Sequence, residues 1–302
     1  MKNLLLVITS VIIFSSCNKS EQEKSWELFI NNHKENSESF FVTAATIDTI
    51  EGNDKLNLII NATNFHFSNG NQVTTDIEVK MKDVLKRKDI IYEGLFTSFV
   101  NFSEEWLLKS KGMFKVDFFS EGQRVYPDTN ITFFWRDELM NSGYFFYRFI
   151  PGVDSVWRSD SSSSFFYEDP LEDYLVVGQI SSDVFNDTLS WINLDAPVYG
   201  PAPRRQIIVQ TYLANFPISG YLILNNYLSV VRLKPHGCSN CFIVDNIPNN
   251  ANATILVVGF DAAAEQYYLS RNDTIVGDDI VITADFQQIS EQDLEIEIEN
   301  LN

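Results

Sequence analysis

The sequence predicts a mainly β protein with a packed core. Aromatic residues make up 14% of the chain, with 24 Phe and 12 Tyr, and such rings favour strands over helix bundles. Short apolar and alternating runs, bounded by turn residues, recur along most of the chain. Apolar residues account for 45% of the chain and charged residues for 21%, a balance typical of a globular protein.

Residues 1–16 have the layout of a secretory signal peptide. Lys2 supplies a positive start, and the apolar run over 4–14 is shorter than the roughly 20 residues needed to cross a bilayer. Two small residues then precede Cys17, which resembles the lipobox of bacterial lipoproteins. The resemblance implies cleavage before Cys17 and acyl chains such as palmitate on it, giving stable attachment to a membrane. The alternative is an ordinary cleaved signal, or an uncleaved anchor, with an incidental thiol.

The rest of the chain is predicted to form a tether and two domains. Residues 17–36 are polar and charged, and we expect a flexible tether there with a short amphipathic turn around Phe29. Residues 37–136 predict an N-terminal β domain, with a single helical turn over 104–109. Residues 177–302 predict a C-terminal β-sandwich domain, because short strands recur at intervals of roughly ten to twelve residues. We therefore predict two β-sandwich domains of the immunoglobulin-like or Greek-key type.

The strand-like pattern changes in the C-terminal segment, from residue 290 onward. Ser290 resembles a helix cap placed before an apolar pattern. A short helix or a last edge strand is expected there.

Residues 137–176 are predicted to be an irregular connection, rich in serine and flanked by aromatic clusters. A fully solvated linker would not carry so many rings, so we expect this segment to pack against the domains. Its aromatic residues are the best candidates for a binding surface, because aromatic side chains dominate binding energetics. Core packing is the alternative for the same rings. The candidates are Tyr144, Tyr147, Trp157, Phe165 and Tyr167.

Cys238 and Cys241 form a C-x-x-C pair. A local disulfide, a redox site and half of a metal site all remain open from the spacing. A β-like run follows the pair, whereas a thioredoxin-like motif should precede a helix, and a zinc site would need two further ligands besides a nearby His236. A disulfide or two free thiols is the favoured interpretation.

Residues 48–50, 154–156, 187–189 and 273–275 are Asp-Ser/Thr-apolar triplets, and they resemble O-glycosylation acceptors of Bacteroidota. Chance alone would give roughly one or two such matches at this composition. The alternative is that they mark turns leading into strands, since Asp and Ser/Thr favour turns. The candidate acceptors are Thr49, Ser155, Thr188 and Thr274.

The net charge of −19 argues against nucleic-acid and anionic-membrane binding, because both polyanions would repel the chain. A calcium-binding module remains compatible with this acidity. Catalysis is not predicted: the histidines are His33, His66 and His236, and no hydrolase, metalloprotease or nucleotide-binding motif occurs. We predict no cofactor, no metal site and no catalytic residue. Glycoside hydrolysis needs only two carboxylates and stays as an alternative.

Three further stretches follow distinct patterns. Residues 97–116 are similar to a "T-S … L-x-S-x-G-M-F-x-V" pattern, 190–195 to "G-W-I-N-x-D", and 246–258 to "I-P-x-G … v-x-I-v-A". Together they resemble a group of uncharacterised Bacteroidota surface lipoproteins. The chain departs from these patterns at Ser190 and at 249–252, where glycines are expected. The resemblance implies β-sandwich architecture and a surface location, with no catalytic residue.

Structural roles are expected for the side chains in these stretches. Gly112 should permit close packing or a positive φ, and Met113 and Phe114 should lie in the core. Trp191 should be a buried anchor whose indole needs a hydrogen-bond partner.

Together these features predict a lipid-anchored, non-catalytic protein of the outer membrane, exposed at the cell surface. Its expected role is adhesion, ligand binding or an accessory function in an envelope complex. The alternative is carbohydrate binding or processing by aromatic and carboxylate residues. Sugar binding predicts a solvent-exposed Trp135 or Trp157, and sugar processing predicts carboxylates converging in a cleft.

Overall fold

The fold is described from a computed structural model covering residues 25–101, 104–136, 145–150, 156–159, 167–168, 175–185, 191–198, 203–212, 216–237 and 240–301. The described chain is mainly β, as predicted. We call residues 38–197 the first lobe and residues 204–289 the second lobe.

The described part of the first lobe contains fourteen strands. They are β1 (Glu38–Val42), β2 (Ile47–Glu51), β3 (Leu56–Asn61), β4 (Phe65–Phe67), β5 (Ile77–Val84), β6 (Ser98–Asn101), β7 (Glu104–Ser120), β8 (Gln123–Pro127), β9 (Ile131–Arg136), β10 (Phe145–Ile150), β11 (Val156–Ser159), β12 (Tyr167–Glu168), β13 (Leu175–Ile180) and β14 (Trp191–Pro197).

The second lobe has shorter connections between its strands. They are β15 (Arg204–Gln210), β16 (Ile218–Leu224), β17 (Val230–Arg232), β18 (Lys234–Pro235), β19 (Cys241–Pro248), β20 (Asn252–Asp261), β21 (Gln266–Ile275), β22 (Ile280–Thr283) and β23 (Gln287–Ile289). The helices of the described chain are α1 (Trp26–Asn32), α2 (Arg87–Glu93), α3 (Ser182–Phe185) and α4 (Glu291–Glu299).

Two sheets build the first lobe. The larger has the order β1-β5-β7-β14-β10-β11-β6, and β6 also pairs with β7, so part of this sheet closes into a ring. The hairpin-like pair β4–β8 extends the same sheet through β7. The smaller sheet has the order β12-β13-β9-β3-β2 and packs its apolar face against the larger one. The core between them is rich in rings: Phe65, Phe114, Phe118, Phe133, Trp135, Phe146 and Phe185.

Two further sheets build the second lobe, with the orders β18-β19-β15-β22 and β17-β16-β20-β21-β23. Strand β15 pairs with β22 in parallel, and the other pairings in these sheets are antiparallel. Aliphatic side chains alternate toward the space between the two sheets. Its described buried residues are Leu, Ile, Val and Ala, among them Ile207, Val209, Leu222, Ile255 and Val257.

Helices α1, α2 and α4 fill the junction between the lobes. Helix α1 begins after Ser25, whose side chain accepts a hydrogen bond from the Leu28 amide at 3.0 Å. Its Phe29 is buried and meets Tyr267 of the second lobe edge to face, at 5.7 Å between ring centroids. The Trp26 indole donates to the Tyr221 hydroxyl at 2.9 Å. The amphipathic turn predicted around Phe29 is therefore a packed helix.

Polar contacts reinforce this junction. The Arg87 guanidinium of α2 donates to the backbone carbonyls of Asn225, Tyr227 and Leu301 at 2.7 to 3.2 Å. Lys88 forms an ion pair with Glu299 of α4 at 2.8 Å. Because charge-assisted hydrogen bonds are stronger than neutral ones, these contacts hold the lobes together.

Several predicted boundaries are wrong. The tether predicted over 17–36 includes α1, because Phe29 has an apolar site to fill at the junction. The boundary predicted at residue 177 falls inside the first lobe, since β13 pairs with β9 and β14 pairs with β7. The described parts of the predicted connection 137–176 are strands of the first lobe, not irregular segments.

The local predictions have mixed outcomes. The helical turn predicted over 104–109 is strand β7, because cross-strand pairing with β6 and β14 outweighs local propensity. The cap predicted at Ser290 is confirmed: its side chain accepts from the Asp293 amide, and α4 follows.

Candidate functional site

The long strand β7 contains a bulge opposite β14. Met113 pairs with Asn193, whereas Ser110 pairs with Asp195, so one more residue is present on β7 than on β14 between these two pairs. Gly112 sits in this irregularity with φ +141°, a conformation that L side chains rarely adopt. A Cβ on Gly112 would lie 2.6 Å from the Trp135 ring. The positive φ and close packing expected at Gly112 are both confirmed.

The bulge brings a hydroxyl, a carboxamide and a carboxyl together in the interior. Ser110 Oγ donates to Asn193 Oδ1 at 2.7 Å, and Asn193 Nδ2 donates to Asp195 Oδ2. The Gly112 amide donates to Ser110 Oγ at 3.0 Å. Asn193 and Asp195 have no solvent-exposed surface, and Ser110 is 6% exposed. We call Ser110, Asn193 and Asp195 the buried triad.

Burial controls the electrostatics of the triad. Removal from water raises the pKa of Asp195 well above its ordinary value, and the nearby Ser110 and Asn193 side chains offset only part of this rise. Asp195 Oδ1 has no hydrogen-bond partner among the described residues. Burial therefore favours the protonated form of the Asp195 carboxyl, which lies next to the Asn193 amide nitrogen.

The triad joins two of the stretches that carry the sequence resemblance. Ser110 and Gly112 come from the first stretch, and Asn193 and Asp195 come from the second. The third stretch also reaches β7, because Asn246 Nδ2 donates to the Glu105 carbonyl at 2.6 Å. The core positions expected for Met113, Phe114 and Trp191 are confirmed by their burial. The sequence showed these motifs separately, and only the strand pairing shows that their polar residues meet.

A second buried polar contact lies nearby, where β7 meets the second lobe. Thr97 Oγ1 and Ser229 Oγ are 2.9 Å apart, and the Thr97 amide donates to the Val230 carbonyl at 2.7 Å. The Ser110 amide donates to the Leu228 carbonyl at 3.0 Å. The backbone around the triad is thus held from both lobes.

A small acidic pocket of about 40 Å³ lies at the edge of the first lobe. Glu38, Asp54 and Asp83 line it beside Gly52. Burial, followed by repulsion from Asp54 and Glu38, raises the pKa of Asp83 from 3.8 to about 6, although the backbone amide of Lys55 donates to this carboxyl. Asp83 Oδ1 has no hydrogen-bond partner within the described ranges.

No group of three or more His, Cys, Asp or Glu side chains in the described part of the chain is arranged to hold a metal ion. His33 instead hydrogen-bonds to the Phe29 carbonyl at 2.7 Å, and His66 to Asp128 at 2.6 Å.

The predicted binding aromatics divide into buried and undescribed residues. Tyr147 is 3% exposed and Trp157 is fully buried, so the prediction of a contact surface is wrong for both. The physical reason is the closure of the larger sheet, where Tyr147 packs on Phe99 and the Trp157 indole donates to the Phe96 carbonyl at 2.8 Å. Tyr167 lies in β12, and Tyr144 and Phe165 fall outside the described residues.

The remaining predicted sites are only partly described. Thr49 is exposed on edge strand β2, and Thr274 is half-buried near the end of β21, whereas Ser155 and Thr188 lie outside the described residues. Cys241 takes part in a disulfide. The other two cysteines of the chain, Cys17 and Cys238, fall outside the described residues. Glycosylation, lipidation and the pairing of Cys238 stay predictions.

Comparison with known proteins found no match to a protein-family model, to a curated protein or to a solved structure. Within the described residues, the helices are all too short or too polar to cross a membrane.

Proposed function

We propose that this chain is a lipid-anchored protein of the outer membrane, exposed at the cell surface, that binds a partner without catalytic turnover. The observation that carries the proposal is the apolar segment ending in Ser15-Ser16-Cys17. A thiol at this position is suited to lipidation after cleavage, and several acyl chains give stable attachment. The net charge of −19 disfavours nucleic acid or an anionic lipid surface as the bound partner.

The position of α1 supports the same proposal. Trp26 begins the packed body nine residues after Cys17, a span of at most about 30 Å when fully extended. A lipidated Cys17 would therefore hold the junction between the lobes close to the bilayer. Both lobes would remain on the outside, accessible to a partner.

The anchor is tested by labelling with a palmitate analogue in a bacterium that processes lipoproteins. We expect labelled wild-type protein in the membrane fraction and no label in Cys17→Ala. Cys238→Ala is the matched control, since it removes a thiol that the proposal leaves unlipidated. Equal labelling of wild type and Cys17→Ala would refute the anchor.

A protein partner is favoured by exposed apolar side chains on two edge strands. Phe41 on β1 is 71% exposed, and Ile47 on β2 is 68% exposed. These strands contact each other, and each pairs on one side only among the described strands. Exposed apolar groups at a sheet edge are typical of protein-binding surfaces. Burial of Trp135 and Trp157 removes the exposed tryptophan platform that sugar binding predicted.

The partner is tested by affinity purification of the tagged lipoprotein from native membranes, followed by mass spectrometry. We expect a co-purifying envelope protein that is lost from the double variant Phe41→Ser/Ile47→Ser. Ile275→Ser is the matched control, because Ile275 is similarly exposed on the second lobe. Retention of the partner by the double variant, or its loss from the control, would contradict the proposed surface.

Carbohydrate processing remains the second candidate because of the acidic pocket. A carboxyl with a raised pKa beside another carboxylate is the pattern used in glycoside hydrolysis. Asp83 and Glu38 have this relationship. Polysaccharide-cleaving activity that disappears in Asp83→Asn, with the fold retained, would favour this candidate over a purely binding role.

A further inference from the structure

The buried triad places a nucleophile, an electrophile and an acid–base group in one sealed site. Ser110 Oγ is 2.7 Å from Asn193 Oδ1, so the carbonyl carbon lies within about 4 Å of the hydroxyl, given a C=O bond of about 1.2 Å. Asp195 Oδ2 accepts a hydrogen bond from Asn193 Nδ2, and the Ser110 side chain lies close enough to Asp195 to lower its pKa. Nucleophilic chemistry requires this set of contacts between the attacking group, the acceptor and a proton carrier.

We propose that Ser110 and Asn193 react with each other to form an ester bond that joins β7 to β14. The reaction is a single self-modification of the chain and involves no external substrate. It requires Ser110 Oγ to turn from Asn193 Oδ1 toward Cγ and to reach a near-attack distance of roughly 3 to 3.5 Å.

The reaction balances without another reagent. Ser110 Oγ attacks Asn193 Cγ, the Oγ–Cγ bond forms, and the Cγ–Nδ2 bond breaks. The hydroxyl proton of Ser110 joins the two hydrogens on Nδ2, and ammonia leaves. The products are a serine–asparagine-derived ester and one ammonia molecule, with no change in oxidation state.

Asp195 is the catalytic residue of this step, because its carboxyl contacts the departing Asn193 Nδ2 and lies near the Ser110 side chain. Its carboxyl delivers one proton to the departing Nδ2 and takes up the proton of Ser110, so its protonation state is the same before and after the reaction. A positioned carboxyl of this kind accelerates proton transfer by roughly 10²–10⁴-fold. The Gly112 amide donates to Ser110 Oγ at 3.0 Å and holds this oxygen beside Asn193.

Burial then protects the product. Asn193 and Asp195 are completely shielded from solvent, so water cannot readily hydrolyse the ester. Ammonia is small and leaves when the sheet breathes, which removes the reagent for the reverse reaction. The bond connects residues 83 positions apart in adjacent strands and closes the sheet covalently around the intervening chain.

Peptide mapping of the mature wild-type protein tests the proposal directly. A glutamate-specific protease at mildly acidic pH, after reduction of disulfides, places Ser110 in peptide 106–121 and Asn193 in peptide 173–265. We expect one linked species, lighter than the sum of the two peptides by one ammonia. Hydroxylamine should separate the peptides, because it cleaves esters and leaves ordinary amides intact.

Two variants test the nucleophile and the proton carrier separately. Ser110→Ala should abolish the linked species. Asp195→Asn keeps the shape of the side chain and should lower the linked fraction at a fixed time by at least about tenfold. Ser229→Ala is the matched control, because it removes a buried hydroxyl outside the triad and should leave the link unchanged.

Folded wild-type protein that yields both peptides unlinked, with Asn193 intact, would overturn the proposal. Conversion of Asn193 to Asp without a link would overturn it as well, since that is simple deamidation. A link that survives hydroxylamine would exclude an ester. None of these outcomes depends on a variant that folds.

Discussion

The two lobes fill the space between their sheets with different side chains. The core of the first lobe is built around rings such as Phe133 and Trp135, whereas the described core between the sheets of the second lobe consists of aliphatic residues such as Ile255 and Leu222. Rings pack through preferred edge-to-face and tilted geometries, as Phe133 and Phe146 do at 5.2 Å between centroids. The aliphatic core depends more on the alternation and pairing of its strands. The first lobe should therefore be more sensitive to the loss of one large side chain.

Phe133→Ala should produce the largest loss of stability. The ring is fully buried and contacts Phe114 and Phe146, so its removal leaves a cavity that the sheets cannot close. We expect a loss of about 3 to 5 kcal/mol in the free energy of unfolding, measured by urea denaturation. A loss below about 1 kcal/mol in the free energy of unfolding would show that neighbouring side chains repack to fill the cavity.

Asp83→Asn tests the acidic edge of the first lobe through pH. The pKa of Asp83 is raised to about 6, so its protonated form favours the folded state. That contribution is complete below about pH 4 and is lost as the pH rises through about 6. The neutral amide should therefore stabilise the protein by about 1 to 3 kcal/mol at pH 8 and change little at pH 4. Equal effects at both pH values, in parallel urea titrations, would rule out titration of Asp83 as the cause.

Arg87→Ala tests how far the lobes unfold together. The substitution removes donors from the carbonyls of Asn225, Tyr227 and Leu301, with an expected loss of about 1 to 2 kcal/mol. Calorimetry should show one broadened or split transition in place of a single one, because the lobes lose part of their coupling. Lys234→Ala is a suitable control, since its ion pair with Glu105 is more exposed. Equal broadening in this control would contradict a special role for Arg87.

Ile255→Val should have the smallest effect and sharpens the contrast between the cores. One buried methylene group is lost, and strand β20 retains its pairing with β16 and β21. We expect a loss of about 0.5 to 1.5 kcal/mol, measured under the same conditions as for Phe133→Ala. A loss as large as that of Phe133→Ala would mean that side-chain size does not distinguish the lobes.

Local sequence patterns predicted individual strands and the cap of α4 better than they predicted which strands pair. Ser290 was identifiable as a cap because its partner, the Asp293 amide, lies within one helical turn. The strand β7 was partly misassigned, because its pairing partner β14 lies about 80 residues later and leaves no local signal. The domain boundary was predicted wrongly at residue 177 for the same reason, because β13 and β14 pair with strands far earlier in the sequence.

The buried triad could not be predicted for the same reason. Ser110, Asn193 and Asp195 each lie among apolar residues, which suggested core strands and concealed the polar contact. Only the bulge at Gly112 sets the register that brings Ser110 onto Asn193. The acidic pocket was equally hidden, because Glu38, Asp54 and Asp83 come from separate segments of the first lobe.

Strand β7 also constrains the order in which the chain can fold. It pairs with β5 and β6 nearby in the sequence, but its other edge must wait until β14 has been synthesised. Pairing across so long a separation slows folding, and an unpaired apolar edge is vulnerable to association with other chains in the meantime. The first lobe is thus completed late, when the nascent polypeptide already extends to about residue 197, and protection by a chaperone over this interval would increase the yield of the native protein.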